Sequence, residues 1–131
     1  MCYNTMGFLL EWEARARMET TLDRARLLLA SASPRRRELL SLCGLDFAVV
    51  PSRAEEVTLP TPEATVLENA RRKCADVAAA HPDCAVLSAD TVVCVDGLIL
   101  GKPTDDADAA RMLRLLSGRA HQVHTAVCLQ A

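Results

Sequence analysis

The stretch from Leu27 to Leu40, LLLASASPRRRELL, restricts the fold more than any other part of the chain. Leu27 to Ala30 is a short continuous apolar run, the pattern of a buried strand. Ser31-Ala32-Ser33-Pro34 interrupts it, and Arg35 to Leu40 resumes with helical spacing. Ser33 suits an N-cap, and Pro34 suits the first helical position, where an amide hydrogen would have had no partner. A strand, a tight polar turn and a helix start together aim free backbone amides and a partial positive charge at one point. The hydroxyls of Ser31 and Ser33 and up to three guanidinium groups, from Arg35, Arg36 and Arg37, surround that point. The plain reading is ordinary Ser-Pro capping and a solvated arginine face. Cations at a helix N-terminus, however, oppose its dipole by about 0.3–1 kcal/mol each. Three of them make more sense with an anion bound nearby, and phosphate fits that chemistry.

The remaining chain reads as strands alternating with helices. Gly44 stops the arginine-rich helix, and Phe47 to Val50 is a second strand. Pro51 to Pro62 is a polar connector carrying Glu55 and Glu56. Thr61 and Pro62 open a helix through about Ala80, with Leu67, Ala70, Cys74, Val77 and Ala78 on one face and Lys73 at its edge. Ala85-Val86-Leu87 is a third strand running into Ser88-Ala89-Asp90-Thr91, and Val92 to Val95 continues extended. Asp96-Gly97 is a two-residue hairpin signal, with Leu98 to Leu100 returning. Thr104 caps a helix of roughly Asp105 to Leu116, whose early acids Asp105, Asp106 and Asp108 suit its positive end. Gln122 to Leu129 is a last strand. The class is α/β with a mixed sheet flanked by helices. Residues 1–26 differ in character and read as an N-terminal extension, partly disordered or a misassigned start with Met18 as the true initiator. The domain then runs from 27 to 131.

Composition excludes several classes of function. A net charge of −2 leaves no general nucleic-acid footprint, and one Trp, one Tyr and two Phe are too few for stacking on bases. No run approaches the roughly 18 apolar residues of a membrane span. Met6 to Leu10 is too short for a signal-peptide core, so the chain reads as cytoplasmic. Its six cysteines form no C-x-x-C pair, and the even spacing of Cys74, Cys84 and Cys94 matches no zinc pattern. They read as small buried hydrophobes in a reducing compartment. His121 and His124 form H-x-x-H on a strand, where the two side chains point to opposite faces and share no metal. Among 15 basic residues the only lysines are Lys73 and Lys102, which marks both as places where a compact point charge is wanted.

Asp90 stands at the end of an apolar strand, where α/β proteins place ligands. Its plain reading is a turn cap. With Glu55 or Glu56 it could instead hold Mg²⁺, which takes one or two carboxylates plus phosphate oxygens. Arginines, lysines, hydroxyls and two acids together point to a metal-assisted reaction on a polyphosphate.

The segments that carry this chemistry also carry a family resemblance. LLLASASPRRRELL, AEEV at 54–57, ENARRKCADV at 68–77, LSADTVVCVDGLILGKP at 87–103 and AARMLRLLSGRAHQVHTAV at 109–127 occur in order. The chain resembles the Maf family, nucleoside triphosphate pyrophosphatases also called septum formation inhibitors. The resemblance implies an ITPase-like fold, usually a homodimer, that cleaves a nucleoside triphosphate between the α and β phosphates with Mg²⁺ or Mn²⁺. It implies substrate contacts by Ser31, Ser33, Arg35, Arg36, Lys73 and Lys102, catalysis by Asp90, and metal binding by Asp90 and Glu56. The SPRR and ADTVV forms are similar to the subfamily acting on dTTP and UTP. Family members continue with a further segment that completes the pocket, so the C-terminal part of the fold is expected to be missing. A truncated regulator that binds nucleotide without turnover is the alternative.

Overall fold

Leu28, Leu29 and Ala30 are buried, and Leu28 and Ala30 belong to one core cluster with Cys74, Val77, Ala78 and Val86. The computed structural model describes residues 26–131, so the extension and Met18 lie outside the described residues, apart from Arg26. Strand β1 (Arg26–Leu29) pairs in parallel with β2 (Phe47–Val49) on one edge and with β3 (Cys84–Val95) on the other. Partners on both edges satisfy its backbone polar groups, so its apolar run can lie inside the sheet. Helix α1 (Pro34–Ser41) follows the Ser31–Ser33 turn. The Ser33 side chain accepts from the Arg36 amide, with Pro34 in the first turn as its fixed φ favours. The chain leaves α1 through Gly44, whose φ of +68° is open to glycine at no steric cost.

Helix α2 (Pro62–Ala80), capped by Thr61, covers one face of the sheet. It buries Val66, Ala70, Cys74, Val77 and Ala78 against the strands. Leu67, expected on that stripe, is exposed instead. The buried stripe includes Thr65, Val66, Asn69 and Ala70, which rotates the true face one position away from Leu67. Along β3 the side chains alternate, and Val86, Ser88, Asp90, Val92 and Cys94 are buried on one face, with Val95 buried as well at the strand's end. The Ser88 hydroxyl donates to the Ala70 carbonyl at 2.6 Å, which places this set on the α2 face. Strand β4 (Leu98–Leu100) returns antiparallel to β3 after the Asp96-Gly97 turn, where φ is +48° and +77°. Both central residues with positive φ define the hairpin turn foreseen from Asp-Gly.

Helix α3 (Asp106–Leu116) is capped by Asp105, whose carboxylate accepts from the Asp108 amide, and not by Thr104 as expected. Thr104 instead donates its own amide to Asp108. Strand β5 (Gln122–Gln130) pairs antiparallel along almost the whole of β3. Among the described residues the sheet thus holds five strands, with β2, β1 and β3 in order and β4 and β5 on opposite edges of β3. The face away from α2 leaves Val123, Val127 and Leu129 of β5 exposed.

One correction to the sequence reading matters for the site. Asp90 is not at a strand end; β3 continues through it to Val95. The β1 ladder stops at Leu29 opposite Leu87, and the β4 ladder starts only at Val93 opposite Leu100. On that edge, among the described residues, β3 has no strand partner from Ser88 to Val92. The opening in the sheet, not the end of the strand, is what gives Asp90 room for a ligand.

Candidate active site

A cavity of about 570 Å³ opens at this break in the sheet. The β1–α1 turn supplies Ser31, Ser33 and Arg36 to its wall, and the 51–61 connector supplies Glu56. Lys73 comes from α2, Asp90 from β3, and Lys102 from the segment after β4. Five separate parts of the chain therefore converge there, as the sequence reading required.

The centre is an ammonium held between two acids. Lys73 Nζ lies 2.7 Å from Asp90 Oδ1 and 2.6 Å from Glu56 Oε1. Asp90 is 5% exposed, yet each carboxylate oxygen has a donor, since Asn69 Nδ2 donates to Oδ2 at 3.2 Å. Among the described residues no buried side-chain nitrogen or oxygen lacks a hydrogen-bond partner. That satisfaction is what allows a carboxylate to sit in a buried row with Val86, Ser88 and Val92. The hydrogen bond from Lys73 holds the Glu56 carboxyl below its ordinary value; partial burial opposes this, and the charges of Lys73, Lys102 and Arg36 add to it. Of the two acids of the connector, Glu56 makes the contact with Lys73. Glu55 is exposed and does not line the cavity.

Arg36 and Arg35 part company. Arg36 donates to the Ala89 carbonyl at 2.8 Å and to Thr91 Oγ1 at 3.1 Å, with a longer contact of 3.4 Å to Ser31 Oγ. It ties α1 across the sheet break to β3 while standing in the cavity wall. Arg35 points away, is exposed, and pairs with Glu38 at 3.3 Å. Ser31 Oγ accepts from the Ser33 amide, so the turn is held by its own hydroxyls.

Two residues were not singled out in the sequence. Asn69 and Thr91 both contact the proposed site residues, and Asn69 is 3% exposed in mid-helix. Asparagine is a poor helix former, so its place one turn before Lys73 was a usable signal. Cys43, just past the end of α1, is exposed, contrary to the reading of the cysteines as buried hydrophobes; Cys74 and Cys94 are buried as expected, and Cys84 and Cys128 partly so. Cys2 lies outside the described residues. His124 turns toward Glu63 and Gln122.

Residues 26–131 match the family described as Maf-like protein. The chain belongs to the Maf family. Among curated relatives of this Maf chain, the dTTP/UTP pyrophosphatase of Thermococcus gammatolerans is 54% identical over 103 residues, covering 79% of this chain and 55% of the relative. The dTTP/UTP pyrophosphatase of Bacillus velezensis is 51% identical over 107 residues, covering 80% and 57%. That of Deinococcus radiodurans is 49% identical over 105 residues, covering 79% and 54%. The chain spans about half the length of the curated relatives it matches.

The donor chemistry of the site suits a divalent cation only in part. Among the described residues no three His, Cys, Asp or Glu side chains cluster as a metal cage. Asp90 and Glu56 nevertheless bring two hard oxygen donors into one cavity, the set Mg²⁺ takes when phosphates and water complete its shell. Lys73 now balances the same two charges. Among the described residues no helix is long and apolar enough to cross a membrane.

Proposed function

We propose that this Maf chain carries the acid–ammonium centre of a nucleoside triphosphate pyrophosphatase acting on dTTP- and UTP-like nucleotides. The reaction adds water at the α-phosphorus, breaks the bond between that phosphorus and the α,β-bridging oxygen, and yields nucleoside monophosphate and pyrophosphate. The observation that carries the reading is Lys73 set between Asp90 and Glu56 in a cavity walled by the β1–α1 turn. The printed names of the relatives support the pyrimidine substrates.

Each residue has a role set by its chemistry. Asp90 accepts the proton of the attacking water, with Asn69 and Lys73 fixing its two oxygens. Ser31, Ser33 and the start of α1 receive phosphate oxygens, and Arg36, Lys73 and Lys102 offset charge on the triphosphate and the leaving pyrophosphate. Arg35 reaches a phosphate only after leaving Glu38, an exposed pair of little strength. Mg²⁺ or Mn²⁺ held by Asp90 and Glu56 would supply charge neutralisation at the phosphate oxygens. A homodimer and a cytoplasmic location belong to the same proposal. The exposed apolar row of β5 supports the first, and the free thiols of Cys43, Cys74, Cys84, Cys94 and Cys128 support the second.

The test is pyrophosphate release from dTTP and UTP with Mg²⁺ or Mn²⁺, beside Asp90→Asn. Loss of the base is expected to lower turnover roughly 10²–10⁴-fold. Equal turnover by both proteins refutes the assignment of Asp90. Nucleotide binding without turnover, in a chain shown to be folded, favours a non-catalytic, septum-affecting regulator.

A further inference from the structure

Asn69 is engaged through its whole amide. Oδ1 accepts from the Val57 amide at 2.8 Å, and Nδ2 donates to the Val57 carbonyl at 2.9 Å. The second hydrogen of Nδ2 serves Asp90 Oδ2 at 3.2 Å. The orientation of the amide follows from these partners alone. Turned over, it would set Nδ2 against the Val57 N–H and Oδ1 against both a carbonyl and a carboxylate.

Position matters as much as satisfaction. Asn69 and Lys73 are one turn apart on the same face of α2. Each joins the connector to Asp90, Lys73 through the Glu56 side chain and Asn69 through the backbone of the next residue. The two links differ in kind. Lys73 is a cation, and a triphosphate entering the cavity competes for it. The Asn69 amide is neutral, 3% exposed and used up by protein partners, so substrate has little hold on it. We propose that Asn69 is a positioning residue: by tying the Val57 backbone to the Asp90 carboxylate, it sets the gap between Asp90 and Glu56 and keeps it when Lys73 turns to phosphate. The kinetic part of this inference rests on the pyrophosphatase reading above; the structural part does not.

Asp76 provides the comparison. Its carboxylate accepts from the Ser52 hydroxyl and the Arg53 amide, both at 2.8 Å, and so holds the other end of the same connector without touching Asp90. Asn69→Asp keeps the shape and the acceptor for Val57 but loses both donors and faces Asp90 with a like charge. Its kcat is expected to fall at least about ten-fold, the cost of a hydrogen bond to a charged group, with KM changed less than about three-fold. Asp76→Ala is expected to change KM and kcat together and by less. Matching kinetic patterns in the two variants, or a KM rise with kcat intact in Asn69→Asp, would reduce Asn69 to a loop anchor and overturn the proposal. Two readouts need no turnover, and the first needs no variant. In the wild-type chain the Asn69 side-chain NH₂ protons are expected to exchange slowly with solvent, and fast exchange overturns the tether even if the nucleotide reading stands. A crystal structure of Asn69→Ala is expected to show Glu56 displaced from Asp90. Both acids within about 0.5 Å of their wild-type places would also overturn it. If the wild type turns over no nucleotide, the pyrophosphatase reading fails while slow exchange and displaced acids still uphold the tether.

Discussion

Lys73→Met is the perturbation that best exposes the energetics of the site. The substitution keeps most of the aliphatic length of the side chain and removes only the ammonium. Two ion pairs go with it, and they are not equal. Asp90 has a side chain only 8% exposed, and Lys73 itself is 13% exposed, so their 2.7 Å contact is close to a buried pair. Removing one partner of a fully buried pair costs about 3–5 kcal/mol. Asn69 still donates to Asp90 in the variant, which lowers the expected cost to about 2–3 kcal/mol. Glu56 is 48% exposed, and water screens its pair with Lys73 to at most about 1 kcal/mol. The sum is about 3 kcal/mol. Against a domain stability of about 5–15 kcal/mol this is large but survivable.

Urea unfolding followed by far-ultraviolet circular dichroism measures the loss. The midpoint is expected to fall by about 1–3 M at an unchanged slope, given slopes of about 1–3 kcal/mol/M for small domains. The pH dependence gives a second handle with a definite sign. The folded Glu56 carboxyl lies below its ordinary value of 4.5, chiefly through the Lys73 hydrogen bond. An acid depressed in the folded state contributes stability above its unfolded value and loses it as pH falls through the folded one. The gap between wild type and Lys73→Met should therefore be widest above about pH 4.5 and narrow on acidification. A loss under about 1 kcal/mol near neutrality would mean that the pair is solvated, contrary to its burial. A gap that widens in acid would refute the reasoning outright.

Two further substitutions separate tasks within the same region. Arg36→Ala should cost about 1–3 kcal/mol, because Ala89 and Thr91 lose a charged donor, while Arg35→Ala should change stability by under about 1 kcal/mol. Thermal melts check both, and a KM rise of about ten-fold in Arg35→Ala would place its guanidinium at a phosphate during binding. Thr61→Ala removes the cap that accepts from the Ala64 amide and should lower stability by about 1 kcal/mol, read as a drop in melting temperature. No change there would mean that Pro62 and the packing of α2 set the helix start without the cap.

Local chemistry could be read directly from the sequence wherever it decides the structure. The Ser33–Pro34 start of α1, the Thr61–Pro62 start of α2 and the Asp96–Gly97 turn each follow from the conformation of one or two residues. The readings that failed depended on neighbours. Leu67 looked like core because it is a leucine near the right spacing, but the α2 stripe is fixed by Val66, Ala70, Cys74 and Val77 packing on the sheet. Thr104 and Asp105 are both good caps in isolation. The acceptor that reaches the Asp108 amide belongs to Asp105, and a one-residue choice of that kind is decided by how the chain leaves β4.

Asp90 shows where sequence periodicity stops. Alternation along β3 already puts Val86, Ser88, Asp90 and Val92 on one face, and helical spacing already puts Asn69 and Lys73 on one face of α2. Neither pattern says how far α2 slides along β3, because apolar side chains pack acceptably at several offsets. The offset is pinned by polar groups that tolerate only one: Ser88 on the Ala70 carbonyl at 2.6 Å, and Asp90 between Asn69 and Lys73. A shift of one helical turn, about 5.4 Å, would bring one of these two donors into the other's place and leave Asp90 buried with at most one of them, a loss of about 1–3 kcal/mol. The acid proposed for catalysis thus also sets the register of the helix that holds it. Asp90→Ala in the Lys73→Met background should for that reason recover part of the lost stability, since it removes the buried charge that the missing ammonium had balanced. Additive losses in the double variant would show that the offset is held by packing alone.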